Sequence, residues 1–383
     1  MRRKIALALA LLLAFGGVAA AKPLETGTPV ELSSPSATLV EAETGTVIFE
    51  KDADSPRQVA SLTKLMTLLL AFEELEAGRI RLDDSVTVSK AAAAQKGSQA
   101  LLDAGASYPL EVLLKATIIA SANDAACALA EQMAGTEAAF VERMNERAAE
   151  LGLENTVYLN CTGLPQEGMH TTARDVARLS CELCKYPAYH EYASIWMDTL
   201  THPSGRTTDL TNTNRLVRFY DGCDGLKTGS ADASRYCLSA TAAKNGMRLI
   251  AVVLGANVSQ TRFDEARAML DYGFGSYKRL TVLQKGEVLE QKVKVKLGSA
   301  DEVDVAIGSG VSMLVRLGQE KQLSLEIELP ESVDAPVSEG QELGVLRVML
   351  GGQVVARVPA VAARDVGMPS LLEGAVRILE NWR

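Results

Sequence analysis

The residues after Ala60-Ser61-Leu62-Thr63-Lys64 form an apolar run with few turn formers: Leu65, Met66, Leu68, Leu69, Leu70 and Phe72. From Ser61 to about residue 77 this pattern predicts a buried helix with the serine at its mouth. Residues i and i+3 share a helix face, so the Ser61 hydroxyl is expected beside the Lys64 amine. The first turn also carries unpaired N–H groups and the positive end of the helix dipole, so a serine there stands where an oxyanion is stabilised. A neutral Lys64 would take the hydroxyl proton and make a nucleophile. Taken alone, the spacing has a plainer reading, because Ser-x-x-Lys recurs by chance and serine is an ordinary helix cap.

Around this stretch the pattern alternates between strands and helices. Ser36–Ala42 and Val47–Phe49 read as a hairpin joined by Glu43-Thr44-Gly45-Thr46. Helices are expected over Pro109–Ile119, over one long stretch from Ala125 to Leu151, over Thr172–Lys185 and over Arg262–Phe274. From about residue 205 strands dominate, with Asn245-Gly246 as a hairpin turn before Arg248–Leu254. This is an α/β, more narrowly α+β, layout over 30–277. Beyond Tyr277 the period changes to two: Val293/Val295/Leu297, Val303/Val305/Ile307, Leu323/Leu325/Ile327/Leu329 and Leu346/Val348/Leu350. That predicts a small all-β domain over roughly 282–363, without a catalytic constellation of its own.

The ends have separate meanings. Arg2, Arg3 and Lys4 precede an apolar stretch and then Gly16-Gly17-Val18-Ala19-Ala20-Ala21, the pattern of a secretory signal over 1–21. The mature chain is therefore expected outside the cytoplasm, at the outer face of the membrane or in the wall space. At the other end, over 368–383, Leu371, Leu372, Ala375, Val376, Leu379 and Trp382 share one side of a helical pattern, suiting an amphipathic helix lying on a membrane surface. With 39 basic against 48 acidic residues the net charge is −9, which argues against a nucleic-acid partner. The six cysteines permit disulfides in an exported protein, with Cys223–Cys237 the first pair to test. Cys127 reads as a free buried thiol, and Cys181-x-x-Cys184 lacks a second ligand pair at zinc spacing, so no metal and no cofactor is expected.

Two further motifs give the first its meaning. Ser121-x-Asn123 is expected on a loop between helices, and Lys227-Thr228-Gly229 on a strand. Serine acyl-transfer enzymes combine these three elements in this order. The chain resembles the low-molecular-mass penicillin-binding proteins, the serine D-alanyl-D-alanine carboxypeptidases, over nearly its whole length. Ser121-Ala122-Asn123-Asp124-Ala125-Ala126, Leu151-Gly152-Leu153, Thr172-Ala173-Arg174-Asp175 and Gly246-Met247-Arg248-Leu249-Ile250 extend the likeness.

The resemblance implies a peptidase and β-lactamase-like transpeptidase fold followed by a β domain and a tail. It implies that Ser61 attacks the carbonyl between the two terminal D-alanines of a peptidoglycan stem, with Lys64 as general base. Ser121 would relay the proton to the departing D-alanine, and Asn123 would orient Lys64 and hold the substrate amide. Lys227 and Thr228 would grip the terminal carboxylate, and Gly229 would let the substrate backbone come close. The N–H groups of Ser61 and Ser230 would form the oxyanion hole. Relatives often have histidine where Ser230 stands, a departure that touches side-chain tuning alone. Arg262 lies where relatives place a carboxylate-binding arginine. β-Lactams are implied as inhibitors.

Two alternatives stand beside this. A class A-like β-lactamase clears its acyl-enzyme with a glutamate and a water, but Leu153–Gly163 has no convincing Glu-x-x-Leu-Asn. A non-catalytic penicillin-sensing or wall-binding module would not need the full set of reactive groups. His170, His190 and His202 accompany no Gly-x-Ser-x-Gly elbow and read as surface or hydrogen-bonded residues.

Overall fold

The computed structural model describes residues 30–370. The expected signal at 1–21 and residues 371–383 of the expected tail lie outside the described residues.

Five antiparallel strands make the central sheet: β1 (Ser36–Glu41), β2 (Val47–Lys51), β3 (Cys223–Ala231), β4 (Arg235–Lys244) and β5 (Met247–Ala256), in the order β2-β1-β5-β4-β3. The near-continuous apolar run of β5 has a simple cause: both faces of the sheet are covered. Ile250, Val252 and Leu254 point into one core with the helices α1 (Lys64–Glu76), α2 (Leu110–Ile119), α3 (Asn123–Ala134), α4 (Glu137–Glu150) and α5 (Ala173–Leu183). Leu249, Ala251 and Val253 point the other way, onto Phe263, Ala266, Met269 and Leu270 of α6 (Ser259–Ser276). The β1–β2 turn closes as expected, with the buried Glu41 carboxylate accepting from the Thr44 N–H at 2.8 Å.

Every residue of α1 from Lys64 to Phe72 is buried, which explains why its apolar pattern has no polar face. Ser61 itself sits in a short 3-10 turn, Ala60–Thr63, that runs into α1. The single long helix expected over Ala125–Leu151 is in fact two. Gly135 leaves the helical conformation at φ 78°, and the Thr136 hydroxyl caps α4 by accepting from the Ala139 N–H at 3.2 Å.

The expected Cys223–Cys237 pairing is ruled out by register. Although they lie on adjacent strands, Cys223 faces Ala242 and Cys237 faces Gly229, which separates the two cysteines by ~20 Å along the ladder. All six cysteines are free thiols. Protein denatured in chelator without reductant should titrate six thiols with an aromatic disulfide reagent; a reading of four with the Cys223 and Cys237 peptides joined would contradict the register.

The second region begins where α6 ends. Strand β6 (Tyr277–Leu283) follows Ser276 directly and pairs with β9 (Val311–Arg316); β7 (Val288–Lys296) and β8 (Glu302–Ile307) lie between them in sequence. A six-stranded sheet adds β10 (Leu323–Glu328), β11 (Ser332–Asp334), β12 (Glu342–Leu350) and β13 (Gln353–Ala362), in the order β10-β12-β13-β8-β7-β11. Its core holds Val293, Val295, Val303, Val305, Ile307, Leu346 and Val348 of the residues the period of two selected, while Leu323, Ile327 and Leu329 are partly buried and Leu325 is exposed. Leu297 departs from that pattern: it lies past the strand in a left-handed conformation (φ 57°) and is 78% exposed. Arg279 pairs with Glu43, and Arg316 reaches the Tyr272 hydroxyl at 3.2 Å, so the second region is fastened to the sheet and to α6.

Candidate active site

The Ser61 turn is wedged between a strand and a loop, and two glycines make room for it. A Cβ on Gly229 of β3 would lie 2.2 Å from the Val59 carbonyl oxygen, and one on Gly163 would lie 2.0 Å from that of Ala60. The sequence reading gave Gly229 to substrate approach. Its nearest need for an absent side chain is the packing of the Ser61 turn against β3.

Lys64, the first residue of α1, is fully buried and its amine has three neighbours. Nζ lies 3.1 Å from Ser61 Oγ, 2.5 Å from Asn123 Oδ1 and 2.6 Å from the Thr162 carbonyl oxygen. As a neutral amine it donates two hydrogens to the two carbonyl-type acceptors and turns its lone pair to the Ser61 hydroxyl. Burial brings its pKa down to about 7, against opposing pulls from Cys161 and Asp124.

Asn123 is fixed from both ends, since its Nδ2 donates to the Lys96 carbonyl at 2.5 Å. That leaves Oδ1 aimed at Lys64 and fixes the amide orientation. The next residue, Asp124, was absent from the expected site. Buried, it accepts from the N–H groups of Ala100 and Leu102 at 2.9 and 3.0 Å and so ties the 96–102 loop to the start of α3. Thr162 was also missed. Its turn is shaped by Asn160, whose Oδ1 accepts from the Gly163 N–H at 2.7 Å, and Thr67 of α1 holds the Cys161 carbonyl at 2.7 Å. This is the stretch searched for a β-lactamase glutamate; it offers Lys64 a backbone carbonyl instead of a carboxylate.

Ser121 stands at the bend between α2 and α3 with φ 60°, a conformation a non-glycine residue adopts only where its surroundings enforce it. Its buried Oγ has no hydrogen-bond partner among the described residues, and the same holds for Lys227 Nζ. Leaving such atoms unpaired is costly, so two of them on the segments that carry Asn123, set against Lys64, and Gly229, set against the Ser61 turn, mark a place made for a ligand. Burial drives the Lys227 pKa well below the ordinary value, with the charges of Lys64 and Arg262 adding to it. That coupling requires Lys227 and Lys64 to share one small region.

Strand β3 is a free edge of the sheet. It carries Lys227, Thr228, Gly229 and Ser230, and the carbonyls of Gly225, Leu226 and Gly229 are held by Asn214, Tyr189 and Arg262. Thr228 is held by Thr213, hydroxyl to hydroxyl at 2.7 Å, while Ser230 is exposed opposite Tyr236. Arg262 lies behind this strand. Its Nη1 donates to the carbonyls of Gly229 and Cys237 at 2.8 and 3.2 Å, and its guanidinium lies over the rings of Tyr236 and Phe263. Burial lowers its pKa to about 10. The histidines stand elsewhere: His190 pairs with Asp224 at 3.4 Å, His202 with the Tyr108 hydroxyl at 2.9 Å, and His170 with the Gly168 carbonyl at 2.7 Å.

A nucleophile, a buried base, an unpaired hydroxyl and an unpaired amine on an edge strand are together equipped for acyl transfer from a peptide with an anionic end. Known proteins agree. A family profile described as D-alanyl-D-alanine carboxypeptidase matches residues 22–258, and one described as penicillin-binding protein 5, C-terminal domain, matches 277–368. The chain is 37% identical over 348 residues to D-alanyl-D-alanine carboxypeptidase DacF of Bacillus subtilis, covering 91% of this chain and 89% of that one. It is 30% identical over 378 residues to DacA of Escherichia coli, covering 95% and 92%. The crystal structure of penicillin binding protein 5 from Haemophilus influenzae superposes with a TM-score of 0.77 at 27% identity, over 89% of this chain and 100% of that one. The expected order of an α/β peptidase fold and an all-β domain agrees with this likeness, and neither alternative reading is favoured by it.

Proposed function

The chain belongs to the D-alanyl-D-alanine carboxypeptidase family, and from that premise we propose that it removes the terminal D-alanine from peptidoglycan pentapeptide stems through an acyl-enzyme on Ser61. The observation that carries the assignment of roles is the 3.1 Å approach of a buried Lys64 amine to the Ser61 hydroxyl. Neutral Lys64 takes the Ser61 proton as Oγ bonds to the penultimate carbonyl carbon. The N–H groups of Ser61 and Ser230 hold the resulting oxyanion. The C–N bond then breaks, the departing amine receives its proton through Ser121, and free D-alanine leaves. Water repeats the sequence at the ester and returns Ser61 to its hydroxyl form.

The substrate carboxylate lies against Lys227 and Thr228. It supplies the counter-charge that Lys227 lacks and so favours the protonated form there, while burial keeps Lys64 largely neutral. Asn123 keeps the base aimed. Arg262 acts from behind the strand, through the Gly229 carbonyl that it holds. A β-lactam presents the same carboxylate and carbonyl on a ring, acylates Ser61 and leaves slowly. The basic-apolar-small pattern over 1–21 supports export, and the one-sided apolar pattern near the C-terminus supports attachment to the outer face of the membrane.

The test uses the full chain with a pentapeptide ending in D-alanyl-D-alanine, and separately with penicillin. Release of D-alanine is expected, together with a penicillin adduct that persists for many minutes and maps to the Ser61 peptide. Peptide binding without release, or rapid and complete destruction of penicillin, would overturn the proposal.

A further inference from the structure

Behind the base lies a cluster that acyl transfer does not use. Cys127 projects from α3, Glu137 opens α4, and Cys161 lies in the turn that carries Thr162. The two sulfurs and one carboxylate oxygen all lie within 4.8 Å of one another. Cys161 Sγ is 3.1 Å from Glu137 Oε1, which also accepts the Cys161 N–H at 3.1 Å. Both thiols are buried, at 1% and 0% exposure, and Glu137 is half-buried at the outer side. A second carboxylate, Glu131, has its Oε1 3.9 Å from Cys127 Sγ and is oriented by the Ser89 hydroxyl at 2.9 Å. Among the described residues no lysine or arginine hydrogen-bonds to the Cys127, Cys161 or Glu137 side chains.

We propose that Cys127, Cys161 and Glu137 form a binding site for one soft divalent cation of the zinc class. Thiolate ligands with one carboxylate suit such an ion, and bonds of about 2.3 Å to sulfur and about 2.0–2.2 Å to oxygen set ligand atoms ~3.5–3.8 Å apart in a tetrahedron. To reach that spacing the Cys161–Glu137 contact lengthens by about 0.5 Å and the wider separations close by about 1 Å. Glu131, 3.9 Å from Cys127 Sγ, lies beside the cluster and outside the three-ligand group. On binding, each thiol gives up its proton to solvent, and the two positive charges of the ion balance the two thiolates formed. The net charge of the three ligands with their ion is the same before and after, so the field at Lys64, which donates to the Thr162 carbonyl, is little changed. What changes is connectivity: one ion would join α3, the start of α4 and the turn whose carbonyl Lys64 uses.

The test is metal binding by the full, reduced and metal-stripped chain. Wild-type protein loaded with zinc and passed through a desalting column is expected to retain about one ion per chain. Loaded with cobalt(II), it is expected to show a near-ultraviolet thiolate-to-metal absorption that zinc abolishes. Cys127→Ser or Cys161→Ser should reduce that absorption by about half, and the double variant should lose both the absorption and the retained zinc. Circular dichroism checks that each variant is folded, and the wild-type cobalt spectrum decides the matter if one is not. Absence of the thiolate absorption in wild type overturns the proposal. So does equal zinc retention by the folded double variant, or recovery of wild type with a Cys127–Cys161 disulfide, lighter by two hydrogens and unable to hold metal.

Discussion

Lys64→Arg is expected to slow acylation of Ser61 by penicillin about 10³-fold, the scale of a lost general base. Arginine keeps the positive charge and the reach, but it cannot surrender its proton near neutrality, so the lone pair that faces Ser61 disappears. The same reasoning fixes the pH profile of the native enzyme. Burial brings Lys64 to about 7, so the working form gains population as pH rises through that value. Acylation should therefore climb about fivefold between pH 6 and 7, gain about another twofold above that, and level off beyond about pH 8. Rates measured by quenched penicillin labelling across pH check both statements. An arginine variant as fast as native, or a native rate that falls as pH rises through 7, would remove Lys64 from the role of base.

Gly229→Ala should be nearly as damaging, although it adds one methyl group and touches no reactive atom. Gly229 does not have a positive φ, so alanine meets no backbone strain there; the obstacle is the Val59 carbonyl at 2.2 Å, with Leu62 Cδ1 at 3.3 Å. Backbone cannot swing aside as a side chain can, so the Ser61 turn must move off β3. A shift of about 1 Å in a reacting group costs on the order of 10²-fold. Overpacking should also lower stability by about 1–3 kcal/mol. Penicillin labelling together with the thermal midpoint measures the two effects. A variant that folds and labels at the native rate would show that the wedge is looser than this geometry implies.

What the sequence revealed, and what it hid, divides along a physical line. The Ser61–Lys64 contact was legible because it is local: an i, i+3 spacing on a helix brings the groups together whatever surrounds them. The β region was legible because burial on one face writes itself as a period of two; Leu297 broke the rule by lying past a strand end, and Leu325 by lying on an edge strand where it is 46% exposed. Thr162 was not legible, because its contribution is a carbonyl that every residue possesses. The packing role of Gly229 was not legible because the crowding atom belongs to Val59, far away in the chain. Gly135-Thr136 did carry a stop and a cap for the supposed long helix, but the apolar pattern runs on through both. The cysteine pairing failed on register, which is set by how β3 and β4 align and not by their nearness in sequence.

Helix α6 passes into β6 without a spacer, from Ser276 to Tyr277, while the Leu317 N–H closes back on the Ser276 carbonyl at 3.0 Å. The same helix carries Arg262 near its other end, hand in hand with the strand bearing Lys227. The junction thus acts as a stiff axle. No linker therefore separates the C-terminal sheet from the helix that braces the wall of the cleft, so lengthening the chain between Ser276 and Tyr277 would loosen both at once.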